Sequence, residues 1–201
     1  IESSPPHWPV VAGPLETVTK TLQGIPNRLI GLSWGLDLLA PKSSDVDHSW
    51  LTKLDHLIVD SVQTERIAQE AGLAEQSISV IPWGVDFEAF TPDGTDAPSP
   101  IVLSLRAHEP VYRVDDLFEA WPNVLDRHPD AMLLIGNSGS LTEEFEEAVK
   151  RGGLEQSVRF LGRIPESDLP ALLRSANTYV STSPIDGTSV TMLQAMACGV
   201  P

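Results

Sequence analysis

After Pro100 the chain repeats one pattern four times: a short apolar run, then a longer amphipathic stretch. The apolar runs are Ile101–Leu105, Met132–Ile135, Val158–Leu161 and Thr178–Ser181. The stretches between them predict helices over Asp115–Leu125, Leu141–Arg151 and Glu166–Ser175, with a last helix ending at Gly199. Runs this continuous read as strands buried on both faces, so the fold class is α/β, with a parallel sheet between two layers of helices. Such sheets bind ligands beyond the carboxyl ends of their strands. The polar residues Arg106, Gly136, Asn137, Gly162, Arg163 and Asp186 all fall at such ends. Three of the helix boundaries carry local signals. Pro122 is expected to end or kink the first helix, Gly152 and Gly153 to stop the second, and Pro170 sits in the first turn of the third.

The first hundred residues are less regular. Residues 1–27 are rich in Pro, Gly, Ser and Thr, with a short helix expected around Leu15–Leu22. Strands are predicted at Arg28–Ser33, Leu54–Asp60 and Ser77–Ile81, and a helix at Val62–Ala71 stopped by Gly72. The stretch 93–100 has linker composition. The expected division is therefore 1–92 as one domain, 93–100 as linker and 101–201 as a second domain.

Charge removes some functions. The sequence has 13 Lys+Arg against 28 Asp+Glu, a formal charge of −15. Nucleic-acid binding needs a positive face, so it is not expected. Broad attraction to an anionic membrane is likewise not expected, although a local patch allows peripheral contact. The single cysteine, Cys198, rules out an internal disulfide and fits a reducing compartment. No apolar run reaches the roughly 18 residues of a membrane-spanning helix, and no signal peptide is expected. The five His residues lack metal-ligand spacing, and no metal is expected.

Four segments together resemble the family 4 (group 1) glycosyltransferases of the GT-B fold. Ile78–Pro92 is similar to that family's crossover between its two domains. Met132–Gly136 followed by Val158–Gly162 resembles its paired strand-Gly segments. Ser181–Pro201 resembles its donor-binding signature, with Asp186 and Gln194 standing where the family has two Glu residues. The resemblance implies two Rossmann-like domains, the first truncated at its start and the second at its end. It implies an acceptor side in 1–92 and a nucleotide-sugar donor side in 101–201. Beginning at Ile1 and stopping at Pro201 after a helix, the chain reads as part of a longer enzyme or an incomplete gene.

The resemblance also suggests roles. Arg106 matches an Arg on the donor's diphosphate, where a guanidinium can offset the leaving group's charge. The alternative is an ion pair with Glu109. A family Lys in the same region corresponds to Tyr112 or Arg113, and Arg113 keeps the charge. Gly136, Asn137, Ser138 and Gly139 would form a loop near the nucleotide, or else a plain turn. Gly162, Arg163 and Ile164 would lie near its base, with the Arg163 side chain either beside the base or simply exposed. Asp186 would orient the donor sugar, or else cap a helix. Gly187, Thr188 and Ser189 would present N–H groups at the helix start, with Thr188 or Ser189 as the cap. Gln194 would meet the ribose, and a neutral Gln in place of Glu loses about 1–2 kcal/mol of charge assistance. On the acceptor side, Trp34–Asp37 and Asp60–Ser61 end strands; they would touch the acceptor, or else serve as a turn and helix caps.

The expected activity is transfer of a sugar from a nucleotide-diphosphate sugar to a glycan, lipid-linked or small acceptor. Retention of configuration follows from the resemblance alone. Arg106 and Asp186 carry the chemistry, no cofactor takes part beyond the co-substrate, and the location is cytoplasmic or peripheral at the inner membrane face. Two alternatives stand beside it: a non-catalytic GT-B scaffold with a decayed donor site, and a nucleotide-sugar epimerase of the same architecture.

Overall fold

The computed structural model of the chain describes residues 8–13, 15, 27–39, 49–94 and 100–201. The helix expected at Leu15–Leu22 lies almost wholly outside the described residues. The chain divides into two compact units: Ile1–Trp83 with Ile185–Thr188, and Gly84–Pro184 with Ser189–Pro201.

The first unit holds a parallel sheet in the order β1 (Val10–Ala12), β2 (Leu29–Leu32), β3 (His56–Val59), β4 (Ile78–Val80). Strand β1 was not expected. It is three residues between Pro9 and Gly13, too short to show a period, and the pairing Val10 with Leu29 and Ala12 with Gly31 makes it a strand. Helix α1 (Leu36–Leu39) follows β2, and α2 (Val62–Glu70) follows β3. A capping box starts α2: the Ser61 hydroxyl accepts from the Thr64 N–H, and Thr64 Oγ1 accepts from the Ser61 N–H. Leu15, Leu51, Leu57, Val59 and Ala68 form a core with no exposed surface.

The second unit holds a parallel sheet in the order β7 (Val158–Gly162), β6 (Met132–Gly136), β5 (Ile101–Ser104), β8 (Thr178–Tyr179). Helices cover both faces, as the continuous apolar runs require. Leu133 and Ile135 of β6 pack with Phe118 and Trp121 of α3 (Asp115–Leu125) and with Phe145 and Val149 of α4 (Thr142–Arg151). Leu103 of β5 packs on the other side with Leu173 of α5 (Leu169–Arg174) and with Ala195 of α6 (Val190–Ala197). Each such fully buried side chain contributes about 1.5–3 kcal/mol relative to exposure.

Helix α3 has the expected bounds, Asp115–Leu125, and runs through Pro122. Phe118 and Trp121 on it are buried, and Trp121 Nε1 donates to Ser157 Oγ at 3.0 Å. Two expectations change here. The Glu166–Ser175 helix begins as a 3-10 turn, Glu166–Asp168, before α5. Strand β8 is two residues long instead of four. Its neighbour β5 pairs with it only at Val102–Thr178 and Leu103–Tyr179.

The order places the site. From β5 the chain steps outward through β6 to β7, then returns to lay β8 on the other side of β5. The reversal between β5 and β8 opens a crevice at their carboxyl ends, where open parallel sheets take ligands. Arg106 follows β5, and α6 follows β8. Among the described residues no helix is long and apolar enough to cross a membrane.

Candidate functional site

The site in the second unit is built on α6. Ser189 caps this helix: its hydroxyl accepts from the Met192 N–H at 3.4 Å. The same oxygen accepts from Arg106 Nη1 at 3.0 Å. A guanidinium thus stands at the amino end of a helix, where the backbone dipole also favours an anion. On its other side, Arg106 Cζ lies 4.4 Å from the centroid of the Tyr112 ring. The Arg106–Glu109 ion pair is replaced by another arrangement. The Glu109 carboxylate accepts from the Ser140 N–H at 2.8 Å and from its hydroxyl at 2.6 Å. These bonds hold Glu109 below the usual carboxylate range. They also set an acid just before the start of α4.

Beside these residues is a cavity of about 420 Å³ lined by Leu105, Asn137, Ser138, Arg163, Ile164, Leu169 and Thr191. Its size suits part of a small ligand. Strand ends shape it. Gly136 closes β6, and a Cβ there would press on Leu105 and meet Ile164 Cγ1 at 3.4 Å. Asn137 has φ 77°, a left-handed conformation Asn tolerates, and its N–H donates to the Gly162 carbonyl at 2.6 Å. Gly162 has φ 66°. Asn137, Arg163 and Ile164 were expected here. Ser138 lies in the same expected loop. Leu105 and Thr191 were not expected, although Thr191 lies three residues before Gln194 and so on the same helical face. Gln194 is half-buried one turn further along α6.

Other expected residues are engaged elsewhere. Arg113 sits at φ 51° and turns its guanidinium onto Asp116, at 2.9 Å, in an exposed pair. It does not bring a second charge to Arg106. Within the first unit, the Thr188 N–H donates to Asp60 Oδ2 at 2.9 Å, and the Thr188 hydroxyl to the Asp60 carbonyl at 3.0 Å. Gly187 lies against the same carboxylate: a Cβ on it would collide with Asp60. Asp186 belongs to that segment. Asp37 anchors a turn: its carboxylate accepts from Ser33 Oγ at 2.6 Å and from the N–H groups of Trp34 and Leu15 at 3.2 Å. Trp34 leaves 57% of its surface exposed.

His108, which the sequence did not mark, joins the loops after β5 and β6. It has no exposed surface and packs on Phe145 and Phe160. Its Nδ1 lies 2.9 Å from Thr142 Oγ1, and its N–H donates to the Ser138 carbonyl. Burial lowers its pKa from 6.5, against the opposing effects of the Gly136 carbonyl, Glu146 and Glu109. The unfolded chain therefore binds a proton before the folded one does. This stability is full above about pH 6.5 and is lost as pH falls through the lower folded pKa. Urea unfolding between about pH 7.5 and 5.5 is expected to show a steeper loss for the wild type than for His108→Asn. Equal slopes would remove His108 as the source.

A doubly wound parallel sheet, a cation at a helix start by the switch point and a cavity beside it define a binding unit for an anionic small molecule. Comparison with known proteins gives the family. The pattern of the family described as Glycosyl transferases group 1 matches residues 87–201, more than half of the chain, and the chain belongs to that family. It is 29% identical over 171 residues to the GDP-mannose-dependent monoacylated alpha-(1-6)-phosphatidylinositol monomannoside mannosyltransferase of Corynebacterium glutamicum, covering 75% of this chain and 44% of that protein. It is 30% identical over 158 residues to mannosylfructose-phosphate synthase of Agrobacterium fabrum, covering 70% and 35%. The chain thus spans less than half the length of these relatives. Its fold is that of GT-B enzymes. HepE of Anabaena, solved with UDP, matches with a TM-score of 0.73 at 17% identity over 92% of this chain and 55% of its own. Sucrose-phosphate synthase of Thermosynechococcus elongatus matches with 0.74 at 22% identity over 90% and 51%.

Proposed function

We propose that the protein transfers a sugar from a nucleotide-diphosphate sugar to a carbohydrate or lipid-linked acceptor. The observation that carries this is the Arg106 guanidinium held against Ser189 at the start of α6, at the sheet's switch point. In the reaction the bond between the sugar's anomeric carbon and the diphosphate oxygen breaks. An acceptor hydroxyl forms the new bond and gives up its proton, and the nucleoside diphosphate leaves. Arg106 and the α6 dipole stabilise the charge that grows on the leaving oxygen, which lowers the barrier without a protein nucleophile. The cavity bounded by Asn137, Arg163 and Ile164 takes the base and Gln194 the ribose. Asp186, with Gly187, Thr188 and Ser189, addresses the sugar and diphosphate. No metal is needed on this reading, and among the described residues no cluster of acids, His and Cys suits one. Residues 1–92 form the acceptor side, with Trp34 as a surface for the acceptor, and the protein works in the cytoplasm or at the inner membrane face.

Two observations favour a second reading, a scaffold with a decayed donor site. Arg113 is turned onto Asp116, and the Thr188 N–H is engaged by Asp60. Calorimetry of the purified protein with GDP, UDP, ADP and the matching nucleosides separates the two. The transferase reading expects one diphosphate to bind and Gln194→Glu to tighten it about 5- to 30-fold, through charge-assisted bonds to ribose hydroxyls. No binding by any diphosphate, and no gain from Gln194→Glu, would leave the scaffold.

A further inference from the structure

The setting of Arg106 depends on a residue that is not itself charged. The Arg106 side chain is long, and a loose guanidinium would lose rotamer freedom each time an anion bound. Here one face of it is covered by the Tyr112 ring, with 4.4 Å between Cζ and the ring centroid. At that distance the ring's negative face attracts the cation.

Tyr112 is in turn fixed by its backbone. It ends a 3-10 turn, Pro110–Tyr112, that begins on a proline and so starts with φ already set. The Tyr112 N–H donates to the Glu109 carbonyl at 3.0 Å, and Glu109 is tied to Ser140. The Tyr112 carbonyl accepts from Thr182 Oγ1 at 2.8 Å, which connects it to the segment after β8. Arg113 then takes φ 51°, a left-handed conformation unusual for a side-chain-bearing residue, and reverses the chain into α3. The turn thus joins the segments after β5 and β8, the two strands that flank the crevice.

We propose that Tyr112 is the positioning residue for Arg106, and that its ring, with Ser189 opposite, holds the guanidinium ready for the diphosphate of the donor. The inference rests on the donor reading above for its ligand, but the hold of the ring on Arg106 is a separate property of the protein. The ring face matters and the phenol hydroxyl does not. A side chain of similar bulk without a π face leaves Arg106 less firmly placed, and diphosphate affinity falls about tenfold. Base and ribose contacts are untouched, because Tyr112 does not line the cavity.

The test uses the purified protein as wild type, Tyr112→Phe, Tyr112→Leu and Tyr112→Met, with folding of each checked by circular dichroism. Titrations with GDP, UDP, guanosine and uridine are run beside NMR of the Arg106 side-chain N–H. Expected is a ring-current shift of that N–H in wild type and Tyr112→Phe, absent in Tyr112→Leu and Tyr112→Met. Expected too is a tenfold weaker diphosphate affinity in the last two, with nucleoside affinity within about twofold. In an Arg106→Ala background, Tyr112→Leu should change nothing further, which a merely structural role would not produce. If Tyr112→Leu does not fold, Tyr112→Met carries the comparison. Wild-type diphosphate affinity in folded Tyr112→Leu or Tyr112→Met, or equal losses for nucleosides, overturns the proposal. A wild type that shows the ring-current shift but binds no diphosphate sinks the donor reading and the ligand half of this proposal, while the ring's hold on Arg106 stands. Absence of the shift in the wild type overturns that hold itself.

Discussion

Replacing Arg106 by alanine is expected to weaken binding of the preferred nucleoside diphosphate by about 1.5–3 kcal/mol, roughly tenfold to a little over a hundredfold. The size follows from what is lost: a charge-assisted contact to phosphate, in a half-buried setting that screens it less than open water would. The helix dipole remains, since the α6 N–H groups are backbone, so binding is reduced and not abolished. Affinity for the bare nucleoside should hardly change. Arg106→Lys should recover only part of the loss, because a point ammonium neither stacks as a guanidinium does nor offers a planar fork. Raising salt should narrow the gap between wild type and variant. An Arg106→Ala protein that binds diphosphate as tightly as wild type would take the leaving-group role from this residue, and a variant that loses nucleoside binding equally would point to a collapsed loop.

How far the sequence exposed all this depends on the range of the interactions involved. Strands β5 and β6 were legible because they lie inside the sheet with helices on both faces, which writes an unbroken apolar run; β7, at the edge, shows the same signal broken by the exposed Arg159. Gly152 and Gly153 marked the end of α4 for a local reason, a φ of 66° at Gly153. Strand β1 was hidden because its only signal is its pairing with β2. Of the two cap candidates, Ser189 caps α6, and the Thr188 N–H goes to Asp60 within the first unit; neither choice is written in the local sequence. Arg113 had a readable partner at i+3 in Asp116, but its left-handed backbone, which sets where the side chain leaves the turn, has no sequence mark in a residue other than Gly or Asn. Arg106 was visible by its place after a strand. Its stacking on Tyr112 and its bond to Ser189 were not, since each needs the folded loops to meet. Pro122 did not hide α3, because the apolar period that buries Phe118 and Trp121 runs on through it.

The other large effect is on stability, at Gly139. Its backbone passes so close to the loop after β5 that an added Cβ would lie 2.5 Å from the His108 carbonyl oxygen and 2.7 Å from Glu109 Oε1. The neighbour is backbone, so no rotamer change relieves the clash. Nor is that backbone free to retreat. The His108 carbonyl accepts from the Leu141 N–H at 2.9 Å, the His108 N–H donates to Ser138, and the Glu109 carboxylate is bound to Ser140. Gly139→Ala must therefore push the two loops apart, at a cost of about 1–3 kcal/mol typical of overpacking. Since Asn137 and Ser138 line the cavity, nucleoside affinity should fall with stability, which separates this change from Arg106→Ala. Gly84 gives the control, because nothing lies within 4 Å of a Cβ built there, and Gly84→Ala should stay within about 0.5 kcal/mol of wild type. Urea unfolding and nucleoside titration on the two variants read both effects. A Gly139→Ala protein as stable as Gly84→Ala, with nucleoside binding intact, would mean that the loops after β5 and β6 can separate without disturbing the site.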